Sequence, residues 1–428
     1  VNGFMRSVGV TLTRETVASA RPGRPACEFA MHEPIPMPAA APPAHPVTFS
    51  GPRPVFRRLI TRGALLELVT LGFYRFWLAT DIRRHLWSHT AVDGDAAEYT
   101  GRAKELLIGF LVALAILLPI YLAYFLLGIE AERLQSFASV PLFLFLYLFS
   151  QFAMYRARRY RLTRTVWRGL RFSMRGSGWS YAWRAGLWTL AAVLTLGLLL
   201  PWRQAALERY KLRHTAYGSL QGRFVGTGGG LLRRGWWLWL LVPTGVLLVP
   251  LPFIYAGYKA IEWRWWVCGI RFGDHRDAQG RQGEMRLESS LTKGALIGIV
   301  WKVVGWFFLF GSAFVALMAV VNHIQFSKIG PPDMSAVYPA QERARGMAEM
   351  ADPVNLLTIF GPIILGYLMM MVAMGIVLRL YLNRDIWARV AGTTTVHNLS
   401  AADDVVGQGE AVDALGEGLA DGLDIGGL

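Results

Sequence analysis

The chain has 428 residues, of which 54% are apolar and only 17% are charged. A soluble domain carries about 25% charged residues, so the composition argues against a chain of soluble domains and favours a membrane protein. The net charge is +15. Because the basic residues flank long apolar runs, this charge indicates membrane topology and anionic lipid head groups rather than nucleic acid.

The two ends of the chain differ in composition from its middle. Residues 1–50 are predicted to be a disordered Pro/Ala-rich leader, because the stretch Pro34–Pro46 has little to pack. Residues 51–399 are predicted to form the transmembrane domain, and 400–428 an acidic tail. The two cysteines are too far apart in the sequence to indicate a disulfide or metal framework.

Long apolar runs dominate the predicted transmembrane domain. Six of them are treated as helical spans: 106–127, 138–155, 185–202, 236–256, 295–321 and 356–382. Residues 59–79 contain Arg62, Glu67 and Arg75 and are predicted to be an amphipathic helix at the membrane surface. The predicted fold class is therefore all-α, a polytopic transmembrane helical bundle with internal repeats.

A Thr-Leu-Gly motif supports the internal repeats, since it occurs at residues 70–72 and again at 195–197. At the same offset of 125 residues, further identical pairs are Trp77 and Trp202, Arg84 and Arg209, Thr90 and Thr215, and Gly101 and Gly226. A second match, at an offset of 100, aligns Arg171-Phe172 with Arg271-Phe272, and a third echo starts at Arg379. The motif is predicted to lie on a helix, where glycine allows close packing.

The distribution of basic residues between the predicted loops gives the orientation. With six spans, the side that contains both termini carries most of the Lys and Arg residues, so both termini are predicted to be cytoplasmic. The repeat predicts that residues 59–79 and 185–202 either both cross the membrane or both do not. Five or seven spans are therefore the alternatives.

Several segments together resemble the YjgN-like family of bacterial inner-membrane proteins of unknown function. The segments are LLELVTLGFYRFW, YRARRYRLTRTVWRGLRF, TLGLLLPW with the following ERYKLRHTAYGSLQGRF, and GEGLADGLD. The resemblance covers roughly residues 48–428 and implies a multi-pass protein of the bacterial inner membrane. It implies no activity, ligand or catalytic residue. One departure is Glu67, where the family tends to carry an uncharged polar residue.

A basic and aromatic stretch after the second span offers the main candidate contacts. Its arginines are predicted to bind anionic lipid or an anionic substrate, since the guanidinium group can contact phosphate at two points: Arg156, Arg158, Arg159, Arg161 and Arg164. The alternative interpretation is topology combined with an aromatic belt. Lys302 is a candidate intramembrane polar site, with snorkelling to the interface as its alternative.

No motif predicts a cofactor, a metal site or catalysis, so we expect the chain not to be an enzyme. His85 and His89 have helical metal-ligand spacing but lack a third ligand. The first functional prediction is a transporter or channel-like protein for a small solute. The alternative is a lipid-interacting structural or envelope protein without transport. The lipid bilayer is the expected partner, and the oligomeric state is left open.

Overall fold

The computed structural model describes residues 44–131, 139–241, 250–273, 284–329, 353–403 and 405–407. The helices are α1 (Arg53–Val69), α2 (Arg75–Ser88), α3 (Ala103–Ala131), α4 (Ser139–Thr163), α5 (Gly178–Leu194), α6 (Leu200–Arg213), α7 (Gly228–Leu241), α8 (Leu251–Gly269), α9 (Ile297–Ile329), α10 (Pro353–Leu378) and α11 (Ile386–Ala391). A π-helical segment, Arg379–Asp385, joins α10 to α11, and a 3-10 helix covers Leu399–Ala402.

Short strands alternate with the helices. The strands are β1 (Ala44–Phe49), β2 (Thr90–Val92), β3 (Asp95–Ala96), β4 (Glu98–Tyr99), β5 (Thr165–Trp167), β6 (Leu170–Met174), β7 (Thr215–Tyr217), β8 (Leu220–Phe224), β9 (Ile270–Phe272), β10 (Met285–Ser289) and β11 (Thr394–His397). They form one antiparallel sheet of eleven strands in the order β3-β2-β1-β11-β10-β9-β8-β7-β6-β5-β4. The all-α fold class predicted from the sequence is therefore wrong.

The sheet is nearly closed into a ring. Its two edge strands, β3 and β4, are consecutive in the chain and are separated only by Ala97. The backbone N–H of Ala97 still bonds Thr90 on β2, and that of Thr100 bonds Arg164 just before β5. The chain thus passes directly from one edge of the sheet to the other, and these edge groups already have partners.

Tight turns join neighbouring strands. Asp93-Gly94 between β2 and β3, and Arg168-Gly169 between β5 and β6, have positive φ at both residues, as two-residue hairpin turns of type I′ require. Four strands begin with a threonine whose hydroxyl donates to the carbonyl four residues earlier in the preceding helix. These are Thr90, Thr165, Thr215 and Thr394. The hydroxyl gives a partner to a carbonyl that the end of a helix would leave free.

The Thr-Leu-Gly motifs are turns between helices. Leu71 and Leu196 have φ of 51° and 50°, and the following glycines Gly72 and Gly197 have φ of 90° and 88°. Each glycine N–H bonds the carbonyl five residues earlier at 2.7 Å, which is the pattern of a Schellman helix end. No atom lies within 4 Å of a Cβ built on Gly72. The prediction that the motif lies on a helix and uses glycine for close packing is therefore wrong.

These turns change the predicted spans. The predicted amphipathic helix at 59–79 is divided between α1 and α2, and the predicted span 185–202 is divided between α5 and α6. The predicted span 236–256 lies partly outside the described residues; α7 ends within it at Leu241 and α8 begins within it at Leu251. Within the described chain, four helical stretches are long and apolar enough to cross a membrane: Ala103–Phe125, Val140–Thr163, Ile297–Ile324 and Phe360–Ala391. They overlap the other four predicted spans.

The helices follow one another around a ring, as the strands do. Contacts between successive helical pairs join α2 to α3, α4 to α5, α6 to α7, α8 to α9, and α10 back to α1. Arg379 closes this last contact with an ion pair of 2.7 Å to Glu67 on α1. Trp387 of α11 stacks on Trp87 of α2, with ring centroids 5.0 Å apart. The described helices therefore follow one another in a ring that accompanies the sheet, and the predicted all-α transmembrane helical bundle is wrong.

Apolar side chains fill the interior of the sheet ring. One cluster combines residues from opposite parts of the ring: Val47, Val92, Trp167, Phe172, Tyr217, Leu220, Phe272, Leu287 and Val396. Leu399 and Ala402 of the 3-10 helix belong to the same cluster and are buried. Arg168 binds Asp403 at 2.9 Å and so ties this C-terminal segment to the turn between β5 and β6.

The predicted boundaries of the two ends shift accordingly. Ala44–Phe49 form β1, although the sequence predicted a disordered leader up to residue 50, and residues 1–43 lie outside the described residues. Leu399 and Ala402 are packed in the ring, so the folded region extends into the predicted acidic tail. Residues 408–428 of that tail also lie outside the described residues.

The sequence matches at offsets 125 and 100 differ in their structural outcome. At offset 125, Trp77 and Trp202 lie on second helices of a pair, and Thr90 and Thr215 each begin a strand. At offset 100, Arg171 lies on β6, the second strand of the β5–β6 pair, whereas Arg271 lies on β9, the first strand of the β9–β10 pair. The second match therefore aligns residues in different structural positions.

Candidate functional site

Three helices contribute side chains to a charged cluster inside the helix ring. Arg158 of α4 donates to Glu208 of α6 at 3.2 Å, and the indole N–H of Trp266 on α8 donates to the same carboxylate oxygen at 3.0 Å. In the order around the ring, α5 and α7 lie between these helices. Because Arg158, Glu208 and Trp266 contact one another although α5 and α7 lie between their helices, we place these side chains on the inner face of the helix ring.

Lys211, one helical turn beyond Glu208, binds the other carboxylate oxygen. Burial raises the pKa of Glu208, but the charges of Lys211 and Arg158 and the hydrogen bonds from Lys211 and Trp266 outweigh burial and lower it to about 2. Burial lowers the pKa of Lys211, and the Glu208 carboxylate offsets this only in part. Glu208 is therefore a carboxylate that holds two cations in a largely buried position.

A second polar group lies one turn away on the same two helices. Gln204 of α6 donates to Glu262 of α8 at 2.7 Å and accepts from Tyr258 at 2.9 Å. Lys259 completes the group with a 2.8 Å ion pair to Glu262. The two neighbouring clusters, which are joined by α6 and α8, are called the polar layer below.

The five predicted arginines of α4 do not form one surface. Arg158 joins the Glu208 cluster, whereas Arg164 is buried and binds Glu105 of α3 through two nitrogens, at 2.9 and 3.1 Å. Tyr160 donates to the same carboxylate at 3.0 Å. The remaining three, Arg156, Arg159 and Arg161, also have interactions within the protein. Binding of an anionic ligand by these five arginines stays a prediction, and two of them already hold carboxylates.

Lys302 is exposed near the beginning of α9. It lies close enough to Tyr381 of the π-helical segment to interact with it electrostatically. Because α9 starts at Ile297, Lys302 is about 8 Å from that end of the helix at 1.5 Å per residue. It is therefore near one end of the candidate span, and its role as an intramembrane site stays a prediction.

The histidine pair on α2 has a structural environment. The rings of His85 and His89 lie 4.2 Å apart, and His85 packs against Phe56. Burial, followed by the charges of His89 and Arg384, lowers the pKa of His85 to about 4, so His85 is neutral at pH 7. In the part of the chain that the structure covers, no three metal-ligating side chains come together.

The turns at the ends of the short helical pairs expose apolar side chains. Leu71 and Leu196 are 90% and 96% exposed, and their neighbours Val69 and Leu194 are also exposed. Along α5, Leu187, Leu190 and Val193 continue this surface. An exposed apolar surface of this kind is unfavourable in water. It is typical of a region that contacts lipid or another protein.

Comparison with known proteins decides the family. A family model described as bacterial protein of unknown function (DUF898) matches residues 44–422. The chain belongs to this family. It is the YjgN-like family that the sequence motifs indicated, so the predicted resemblance is confirmed. Curated proteins and solved structures gave no match.

As a member of DUF898 with four apolar helices of spanning length, the protein is best described as a bacterial membrane protein. Glu208 was the site residue that sequence reasoning missed. Residues 203–235 contain seven basic residues and one acid, Glu208. A lone carboxylate in such a basic segment could have indicated an ion pair at Glu208. Its partners come from helices about 50 residues away on either side, a distance that no local pattern spans.

Proposed function

We propose that this DUF898 protein is a multi-pass protein of the inner membrane that binds anionic lipid and has a structural role in the envelope. The observation that carries the proposal is the contrast between the two surfaces of the ring. Apolar side chains pack against one another inside the sheet. The apolar side chains of the long helices are instead exposed, and no residue is buried in the most apolar stretch of α9. Exposed helices of this length and composition are typical of contact with lipid.

The connections between helices and sheet support an orientation. α3 follows β4, α4 precedes β5, α9 follows β10, and α10 leads through α11 into β11. If all four helices cross, the whole sheet and both described ends of the chain lie on one side. The two segments that join these helices at their other ends, 126–139 and 325–359, hold only four of the 44 Lys and Arg residues. The positive-inside rule then favours a cytoplasmic sheet and cytoplasmic termini.

Internal repetition is part of the proposal. The chain alternates a helical pair with a β-hairpin, and the final pair feeds β11, which pairs with β1 from the beginning of the described chain. The paired turns at 70–72 and 195–197 have the same dihedral angles and hydrogen bonds. We infer that two short helical pairs, α1–α2 and α5–α6, insert their apolar turns into one leaflet and return.

Lipid retention tests this proposal. The full chain, purified in a neutral detergent, is titrated with phosphatidylglycerol and separately with phosphatidylcholine, and bound lipid is counted by native mass spectrometry. Each basic residue near an anionic surface contributes about 1 kcal/mol, so we expect phosphatidylglycerol to bind at least tenfold more tightly. Equal affinities for the two lipids would contradict an anionic-lipid role.

Passage of a small solute through the ring is the second candidate. The polar layer built by Arg158, Glu208 and Glu262 favours it, since polar side chains facing the inside of a helix ring are typical of a transport path. Against it, the apolar cluster and the 3-10 helix occupy the sheet interior on the same side. Recordings across planar bilayers in KCl, with wild type and Glu208→Gln, test this: a conductance altered by the substitution would support passage.

A further inference from the structure

A small cleft between α7, α8 and the segment that leads into α9 is lined by three cations. Arg234, Arg264 and Lys293 surround it, over a floor formed by Ala260, Ile261 and Leu291. Its volume is 140 Å³, which is ample for a phosphate group, since one water needs about 10–15 Å³ on this measure. We call this site the α7–α8 cleft.

The three cations have no counter-ion in the described part of the chain. All three are exposed, and among described residues none of them forms an ion pair or a hydrogen bond. By contrast, Arg158, Arg164 and many other arginines of this protein hold carboxylates. Three cations that converge on one cleft repel one another, and an anion in the cleft would relieve that repulsion.

The carboxylates near the cleft are already engaged elsewhere. α7 and the described part of the segment before α9 contain no acid, and the only acid of α8, Glu262, binds Gln204 and Lys259. Glu284, just before β10, binds Arg223 at 2.7 Å, and Glu288 on β10 binds His397 at 3.3 Å. The electrostatic field in the cleft is therefore positive.

The position of the cleft indicates the kind of anion. Arg234 lies about 9 Å along α7 from its start, and Arg264 about 8 Å from the end of α8, at 1.5 Å per residue. Lys293 precedes the candidate span that begins at Ile297. All three cations thus lie in the layer between the sheet and the apolar part of the helices, where lipid head groups would be. The exposed Trp236 follows Arg234 on α7, and tryptophan is typical of that layer.

We propose that the α7–α8 cleft binds the phosphate group of an anionic lipid, held by Arg234, Arg264 and Lys293. The inference rests on the proposed lipid-binding function and names its site. Arginine suits this contact because its planar group can donate to two phosphate oxygens at once. The cleft is separate from the arginines of α4 that the sequence predicted for this role.

The test uses the full chain in a neutral detergent and native mass spectrometry with added phosphatidylglycerol. We expect each of Arg234→Gln, Arg264→Gln and Lys293→Gln to weaken binding about fivefold, and the triple variant about 100-fold. Arg233→Gln, a neighbouring exposed arginine that does not line the cleft, is the matched control and should stay within twofold of wild type. If the triple variant does not fold, two double variants replace it: Arg234→Lys with Arg264→Lys, which retains the charge, should bind phosphatidylglycerol more tightly than Arg234→Gln with Arg264→Gln.

Three outcomes separate the possibilities. If wild type prefers phosphatidylglycerol but the triple variant binds it equally well, the cleft is overturned and the proposed function stands. If wild type shows no preference over phosphatidylcholine, the proposed function fails and the cleft assignment falls with it. Inorganic phosphate should compete with the lipid in wild type; a cleft that binds inorganic phosphate but no lipid would overturn the lipid assignment.

Discussion

Replacing Glu208 by glutamine is expected to reduce the free energy of unfolding by about 3–5 kcal/mol. The amide keeps the shape of the side chain but leaves Lys211 and Arg158 facing each other without a carboxylate between them. Both cations are largely buried, with side chains 17% and 22% exposed, so solvent screens their repulsion poorly. Denaturation in detergent micelles, followed by tryptophan fluorescence, measures the loss.

Two further variants make this result specific. Glu98→Gln removes an exposed carboxylate on β4 that has no ion pair among the described residues, and it should change stability by less than about 0.5 kcal/mol. The double variant Glu208→Gln with Lys211→Met should recover part of the loss, because one unpaired cation is removed. A loss below about 1 kcal/mol for Glu208→Gln would contradict the buried cluster.

The same carboxylate gives wild type a predictable acid response. The pKa of Glu208 is lowered from 4.5 to about 2, so the ionised form contributes its full stabilisation above about pH 4.5. This contribution, about 3 kcal/mol at 1.36 kcal/mol per unit of pKa, is lost as the pH falls towards 2. Glu208→Gln should therefore lose less stability than wild type over that pH interval.

Replacing Tyr217 by alanine is expected to cost about 3–5 kcal/mol, the usual cost of truncating a large aromatic side chain in a core. Tyr217 is 1% exposed, packs against Trp167 and Phe172, and donates its hydroxyl hydrogen to the carbonyl of Trp167 at 2.9 Å. Its ring lies inside the sheet, so the cavity would open in the middle of the ring.

A graded series controls for this effect. Tyr217→Phe removes only the hydrogen bond and should cost about 1 kcal/mol. Ser219→Ala changes an exposed residue of the same hairpin and should have almost no effect on the midpoint of thermal unfolding. If Tyr217→Ala unfolds at the same temperature as wild type, the interior of the sheet ring is not packed as described.

Length and polarity explain which elements the sequence could predict. Four long apolar helices were predictable because an uninterrupted apolar run of about 20 residues favours a helix long enough to span a bilayer. The run at 185–202 looked equally apolar, but Leu196 and Gly197 adopt positive φ and end the helix. The turn was not predictable from Thr-Leu-Gly alone, because a φ of 50° at Leu196 is rare for a leucine.

The sheet was missed because its strands are two to six residues long, too short for an alternating pattern. Local signals were nevertheless present: Asp93-Gly94 is a strong hairpin signal, and Gly218 follows the short apolar stretch of β7. The Glu208 cluster was beyond prediction, since it depends on α4, α6 and α8 meeting inside a ring that no single segment encodes.

The side of the membrane on which the β7–β8 hairpin lies is the most direct test of the four-span arrangement with a cytoplasmic sheet. Four spans place this hairpin in the cytoplasm, whereas the six spans predicted from the sequence place it on the opposite side. Cys27 and Cys268 are replaced by alanine, and a single cysteine is introduced at the exposed Ser219. Labelling of whole cells with a membrane-impermeant maleimide, before and after permeabilisation, reports its location. We expect a cysteine at residue 219 to be labelled only after permeabilisation. Single cysteines in place of Ser400 and Ser136 are the controls: the first should be labelled only after permeabilisation, and the second, in the segment 126–139, should be labelled in intact cells. Labelling at residue 219 in intact cells would contradict the four-span arrangement.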